Sequence, residues 1–251
     1  MTEFNKDCWK YINNDEKLYW YILSSNPNIT WNIISSNLDK PWNWKYVSRN
    51  PNITWSIVNN NLDKKWDWVE LSQYLPIDND IISNNLDKWY FDELSENPSI
   101  TIEIIKNNLD KEWNWYSLSK NTNITWNDIE ENPDLNWSWN KLSTIPTVPF
   151  NLVLKLSNKP WLWYSLSKNI SLEVIKQNPY ENWSWCAISS NSNLTCEFIE
   201  DNLDKEWDEC ALYNNKSIKW KFSTLHKIKC QKRKRIRCKE NKINKRRKSL
   251  R

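Results

Sequence analysis

The chain has 251 residues, 39% hydrophobic and 26% charged, a balance that reads as an ordered soluble protein. It contains no Gly and a single His, His226, which removes the glycine-built phosphate loops, dinucleotide fingerprints and nucleophile elbows, and any His-based triad. The net charge of +4 conceals an asymmetry: residues 1–226 hold 21 Lys or Arg against 30 Asp or Glu, or −9, and residues 227–251 hold 14 against one, or +13.

Residues 4–13 read as a lone half-repeat, with Phe4 before Asn5 and Trp9 at the fourth helical position. Residues 1–17 are therefore expected to cap the first full copy of a repeat. From Leu18 onward one text returns with substitutions, starting at Leu18, Trp42, Trp66, Trp89, Trp113, Trp137, Trp161, Trp183 and Trp207, at intervals of 22 to 24 residues. A fixed period in the low twenties marks a repeat array, whose units pack mainly on their neighbours.

Each copy has two halves with one grammar: an apolar residue, a capping residue, usually an aromatic, two variable residues and an aliphatic. Trp42-Asn43-Trp44-Lys45-Tyr46-Val47 is a first half and Ile53-Thr54-Trp55-Ser56-Ile57-Val58 a second. Asn43, Asp67, Asn114, Ser138, Ser184 and Asp208, and in the second halves Thr30, Thr54, Asp78, Thr101, Thr125, Ser171 and Thr195, are of the residue types whose side chains accept from unpaired N–H groups at helix starts. The apolar residue before the cap pairs with the fourth helical position as a hydrophobic staple, as in Trp113 with Leu118 and Ile29 with Ile34. The grammar predicts two short helices per copy, with starts near Trp44, Trp55, Trp68, Trp115, Trp126, Trp139, Trp163 and Trp185.

Asn26, Asn50, Asn97, Asn121 and Asn191 close first helices, and Asn is the best substitute for Gly in a left-handed C-terminal position. Ser48, Ser72, Ser95, Ser143, Ser167 and Ser189 are small residues that would let the next helix approach. In the second helix Ile33, Ile34 and Leu38 form the expected buried side. Two-turn helices are marginal alone, so the 20 Trp residues are read as the packing that holds them, with a Trp cage for a small ligand or glycan as the alternative. The copy from Trp161 lacks a Pro-Asn pair between its helices and the copy from Trp66 lacks one residue before Trp89. Copy six has Pro149 in a capping slot, between Thr147 and Phe150, so its second helix is expected to start differently. Copy nine degrades, with Glu209 in place of the second Trp and Ser223 where an aliphatic should meet Ile218, as an end cap requires.

The fold class is thus all-α: an α-solenoid of about eight to nine 24-residue helix-hairpin repeats over residues 18–226. A basic tail, residues 227–251, is expected to be disordered when free. Its clusters Lys232, Arg233, Lys234, Arg235, Arg237 and Lys245, Arg246, Arg247, Lys248 suit a bipartite import signal, a non-specific nucleic-acid arm, or a solvated tail without a partner.

The units at Asn26 to Trp31, Asn50 to Trp55 and Leu62 to Trp68, NPNITW and LDKxWxW, resemble the Trp-rich repeats of uncharacterised proteins encoded by amoeba-infecting giant viruses of the mimivirus kind. The resemblance spans about residues 18 to 222 and implies no activity, cofactor or catalytic residue.

No enzyme function, cofactor or metal is expected. Cys residues 8, 186, 196, 210, 230 and 238 show no C-x-x-C spacing, and His226, Cys230 and Cys238 do not make a zinc pattern. No stretch approaches membrane-spanning length and the N-terminus has no signal core. Sequons at Asn28, Asn52 and Asn123 are explained by the capping role of their Thr. The expectation is an intracellular protein of host cytoplasm, nucleus or virion. The leading function is a non-enzymatic scaffold for protein–protein interaction, with Tyr21, Tyr46, Arg49, Tyr116, Lys120, Tyr164 and Lys168 as candidate partner-binding residues on the variable face. An ordinary hydrated face is the alternative reading of those positions. A nucleic-acid-associated or virion-structural role, carried by the tail, is the runner-up.

Overall fold

The computed structural model describes the backbone of residues 17–231 and the side chains of residues 19–231. Every regular element among them is helical, with no strand, and the chain divides into two compact units, Met1–Ser138 and Trp139–Arg251. In the first unit the opening helices of successive copies are α1 (Lys17–Ser25), α3 (Trp44–Ser48), α5 (Trp68–Tyr74), α7 (Phe91–Leu94) and α9 (Trp115–Leu118). They alternate with α2 (Trp31–Ser35), α4 (Trp55–Asn59), α6 (Asn79–Ser83), α8 (Ile102–Asn107) and α10 (Trp126–Glu131). The second unit holds α11 (Trp139–Leu142), α12 (Phe150–Lys155), α13 (Trp163–Asn169), α14 (Leu172–Gln177), α15 (Trp185–Ile188), α16 (Cys196–Asp201) and α17 (Glu209–Asn214), then α18 over residues 222–231.

All eight helix starts anticipated at Trp residues fall on those residues. The caps explain why. Asn43, Asp67, Asn114, Ser184 and Asp208 accept from the third helical N–H, and so do Thr54, Asp78, Thr101, Thr125, Ser171 and Thr195. Thr125 and Asp128 complete a reciprocal capping box. Thr30 is an exception: it precedes α2 in extended conformation without a side-chain cap bond. Pro149 leaves the start of α12 where the grammar puts it, with no side-chain cap.

Stacking is made by aromatic edges. The Trp that opens each copy from Trp42 to Trp183 is buried, and the opening Trp meets the second Trp or Phe of the preceding copy edge to face: Trp44–Trp66 at 5.2 Å and 89°, Phe91–Trp113 at 5.0 Å and 89°, Trp115–Trp137 at 5.3 Å and 89°. In the second unit Trp163–Trp183 and Trp185–Trp207 repeat this at 5.2 and 5.1 Å. Such T-shaped pairs match the negative face of one ring to the positive edge of the other. The indole N–H of the opening Trp is also satisfied, donating five residues back: Trp66 Nε1 to Asn61 O at 2.8 Å, Trp113 to Asn108 O at 2.9 Å, Trp183 to Asn178 O at 2.7 Å. The same Asn closes its own helix by donating Nδ2 four residues back, as Asn61 does to Ile57 O.

The Asn residues that close first helices act differently from expectation. No described residue has a positive φ, so none takes the left-handed conformation. Instead Asn50, 2% exposed, shares its Nδ2 hydrogens among Ser24 O, Asn26 O and Ile29 O of the preceding copy, at 3.0 to 3.1 Å. Its Oδ1 accepts from Asn52 N at 2.9 Å. Asn97, Asn121 and Asn191 repeat the clamp. The Ser residues are more than small. Ser95 Oγ donates to Phe91 O at 2.8 Å and accepts from Asn114 N, in the next copy, at 2.9 Å. Ser48, Ser119, Ser143, Ser167 and Ser189 make the same relay.

Three further expectations are corrected: the burial of Leu38, the start of the last helix and the boundary of the tail. Leu38 is 46% exposed, not part of the buried side of its helix, and Leu62, Leu86 and Leu109 are exposed likewise, because the turn after the second helix carries them past the core. The missing residue before Trp89 leaves the helices intact but costs a bond: Trp89 Nε1 is buried without a hydrogen-bond partner, since the shorter turn no longer brings a carbonyl beneath it. At the far end α18 begins at Phe222, two residues later than the grammar implies. It buries Thr224 and Ile228, while Lys221 and Lys227 pair with Glu197 and Glu200 of α16, and Thr224 Oγ1 donates to Glu200 at 2.6 Å. Residues 227–231, placed in the tail by the loss of periodicity, are therefore helical. The basic clusters from Lys232 to Lys248 and the half-repeat at residues 4–13 lie outside the described residues.

Candidate interaction face

The variable face begins with α1, α3, α5 and α7, which pack side by side in that order. Their Trp or Phe and aliphatic positions are buried or half-buried, and the second, third and sixth helical positions are exposed or half-buried, except that the third of α5, Glu70, is buried. Tyr21 on α1 and Tyr46 on α3 meet with ring centroids 5.1 Å apart, tilted by 48°. Arg49, one turn beyond Tyr46, places its guanidinium 5.9 Å from the Tyr46 ring and 4.7 Å over Tyr74 of α5. Arg49 Nη2 donates to Tyr74 Oη at 3.0 Å, and its Nε lies 3.3 Å from Glu70 Oε2. Lys45 Nζ lies 3.3 Å from the other oxygen of Glu70. The Glu70 side chain is only 7% exposed. Its Oε2 makes no hydrogen bond of good geometry, so the contact with Arg49 is an ion pair without alignment.

The row continues to α7 and α9. Glu96 accepts from Gln73 Nε2 of α5 at 2.8 Å, and from Ser117 Oγ of α9 and Lys120 Nζ just beyond it, each at 3.1 Å. The Lys120 bond is the first of the three to hold the Glu96 carboxyl below its ordinary value, followed by Gln73 and Ser117. Lys120 also sits 5.9 Å from the ring of Tyr116, itself 54% exposed. Glu93 behaves oppositely: desolvation raises its pKa, and Asp92, Glu96 and Glu70 raise it further.

The structure thus brings Tyr21, Tyr46 and Arg49 into one cluster, and Tyr116 and Lys120 into a second on the same unit. Tyr164 and Lys168 are exposed on α13 of the second unit. Sequence reasoning missed Tyr74, Gln73 and Glu96. Tyr74 occupies the slot where other copies carry the clamping Asn, so a departure from the repeat was its only signal. Elsewhere, Cys230 Sγ stands 3.7 Å from His226 Nδ1, and no group of three or more potential metal ligands exists among the described residues. Asn52 and Asn123 of the sequons spend their Nδ2 groups on carbonyls of the preceding copy, Pro27 and Ile29 for the first and Ile100 for the second. No described helix is long and apolar enough to cross a membrane.

No protein-family model matches the chain, nor does any curated protein or solved structure.

Proposed function

We propose that the chain is a non-enzymatic α-solenoid scaffold that binds a protein partner through the variable face of its opening helices. The observation that supports this most is the Tyr21–Tyr46–Arg49–Tyr74 cluster. Tyr and Arg dominate binding hot spots, and here they are held by neighbouring copies and not by their own loops, so little ordering remains to be done on binding. The scaffold tolerates variation at these positions because the Trp, Asn and Ser bonds that stack the copies lie elsewhere. Affinity purification with the whole chain, with an Arg49→Ala, Tyr46→Ala double variant and with a chain ending at Gln231 tests the reading. A specific partner should be retained by the truncated chain and lost by the double variant; retention by both variants would dismiss this face.

A second reading draws on residues 232–251, which carry 12 Lys or Arg against Glu240. Such a segment binds polyanions by counterion release, so a nucleic-acid-associated or virion role, or nuclear import, rests on this segment alone.

A further inference from the structure

We propose that Trp163, Glu181 and Tyr180 take up the ammonium group of a lysine from a partner protein. None of the three belongs to the Tyr21–Tyr46–Arg49–Tyr74 cluster, so failure of this proposal leaves the scaffold reading untouched. The repeat itself supplies the first support. In three copies a lysine of the turn after the second helix lays its ammonium over the Trp that starts the first helix: Lys88 over Trp68 at 5.4 Å, Lys159 over Trp139 at 5.9 Å and Lys205 over Trp185 at 5.4 Å. Attraction between the cation and the negative face of the ring favours that placement. In the copy that opens at Trp161 the same position of the turn is Glu181.

The backbone puts Glu181 in the lysine's place. Glu181 N donates to Asn178 O and Glu181 O accepts from Trp183 N, as Lys205 does with Asn202 and Trp207, and Lys159 with Leu156 and Trp161. The indole N–H beside the turn is fixed alike in all three, on Asn178 O, Asn202 O and Leu156 O. The first-helix ring is framed alike as well. Trp163 meets Phe150 at 6.4 Å and Trp183 at 5.2 Å, both T-shaped; Trp68 meets Trp55 at 6.4 Å and Trp89 at 5.4 Å in the same way and still carries Lys88 over its ring. Among the described residues no cation lies over the half-buried Trp163, and the Glu181 carboxylate makes no hydrogen bond or ion pair. A Glu side chain is one atom shorter than Lys, so on the lysine's path its carboxylate oxygen reaches the level of Cε. An ammonium at charge-assisted hydrogen-bond distance from that oxygen, about 2.8 Å, arrives close to where the other copies hold their own Nζ. The charge of the turn is inverted too. In the turns at Asp39–Lys40, Asp63–Lys64, Asp110–Lys111 and Asp204–Lys205 an ion pair of neighbours cancels the charge, whereas Tyr180–Glu181 is net negative. Tyr180 is 98% exposed, which leaves its ring free to lie along the apolar stem of the incoming lysine.

The test follows the nuclear magnetic resonance signal of the Trp163 indole N–H in the full chain during titration with acetyl-Gly-Lys-Gly amide, against the same peptide with norleucine in place of lysine. The signal is assigned by its loss in Trp163→Phe, a change the array already accepts at Phe91 of another copy. The lysine peptide should bind there at least about fivefold more tightly than the norleucine peptide, through one exposed cation–π contact and one ion pair. The Trp185 signal, whose ring already carries Lys205, should stay in place. Glu181→Lys rebuilds the arrangement of the other copies, so this variant should fold and lose the preference for lysine. Glu181→Gln should lose most of the preference, and Tyr180→Phe should retain it. Equal binding of the two peptides overturns the proposal, as does a lysine preference that survives in Glu181→Lys. Equal shifts at Trp163 and Trp185 would mean that lysine meets any Trp of the array, and would overturn it as well.

Discussion

Single polar side chains, more than the apolar ones, decide how one copy fits the next. Asn97 is fully buried and its amide serves Ser72 O, Leu75 O and Ser99 N at once. Asn97→Ala strands those groups away from water and is expected to cost about 2 to 4 kcal/mol in denaturant melts, since each buried unsatisfied group costs about 1 to 3. Trp113→Ala, which removes a 6% exposed ring and leaves Asn108 O with Lys111 N as its donor, should cost roughly 3 to 5 kcal/mol, and the half-buried Trp115 less. The caps offer an internal control: Thr54→Ala should cost about 1 kcal/mol and Thr30→Ala close to nothing, because only Thr54 makes the cap bond. Acid should act with opposite sign on two neighbours. Glu96, depressed below 4.5, contributes stability that is complete above that pH and is lost as pH falls through its folded value. Glu93, raised above 4.5, binds its proton more tightly when folded, so its ionisation opposes folding as pH rises. Glu96→Gln should therefore flatten the acid limb of a stability–pH curve, and Glu93→Gln should stabilise near pH 7 with no effect below pH 4. The reverse order would show that the two charges are misassigned.

At the scale of the helix, starts were legible in the sequence and ends were not, for a physical reason. A cap bonds three residues ahead, so Thr54 or Asp67 declares itself within one window. The clamp of Asn50 bonds 21 to 26 residues back, and reads locally as a left-handed stop because only a stacked neighbour reveals its acceptors. The face was half legible: Tyr46 and Arg49 stand out as variable positions, whereas Tyr74 is hidden in a slot that elsewhere belongs to a buried Asn. The offset of α18 was not legible at all. Its seat is set by Lys221, a variable position of the grammar, and Lys227, both paired with α16, and by Ile228 in the core, the last two lying beyond the repeat grammar. Turn length can be read, but its effect cannot. The turn before Trp89 is one residue short and its indole goes unbonded. Inserting one Lys between Lys88 and Trp89 should restore the five-residue reach and stabilise the chain by about 1 kcal/mol. A loss on insertion would mean that the short turn packs in a way that outweighs the indole bond.

Across the whole molecule, charge runs along the chain from −9 in residues 1–138, through 9 against 9 in residues 139–226, to +13 in residues 227–251. The structure moves the boundary at which that last block can be separated from the fold. Lys227 and Ile228 belong to α18, so cutting after His226 removes an ion pair and a buried residue, whereas cutting after Gln231 leaves both. A chain ending at Gln231 is therefore expected to melt as the full chain does, and one ending at His226 to melt lower. Nucleic-acid affinity should depart with residues 232–251 alone. Those 12 cations include no aromatic neighbour to stack on bases, so binding should ignore sequence and follow phosphate charge. If about four of them engage a duplex, the log–log slope of affinity against salt is roughly −4. Fluorescence anisotropy with unrelated DNA and RNA duplexes at several salt concentrations measures both quantities. Equal affinity of the full chain and the chain ending at Gln231, or a slope near zero, would remove the nucleic-acid reading and leave an import address or a solvated tail without a partner for residues 232–251.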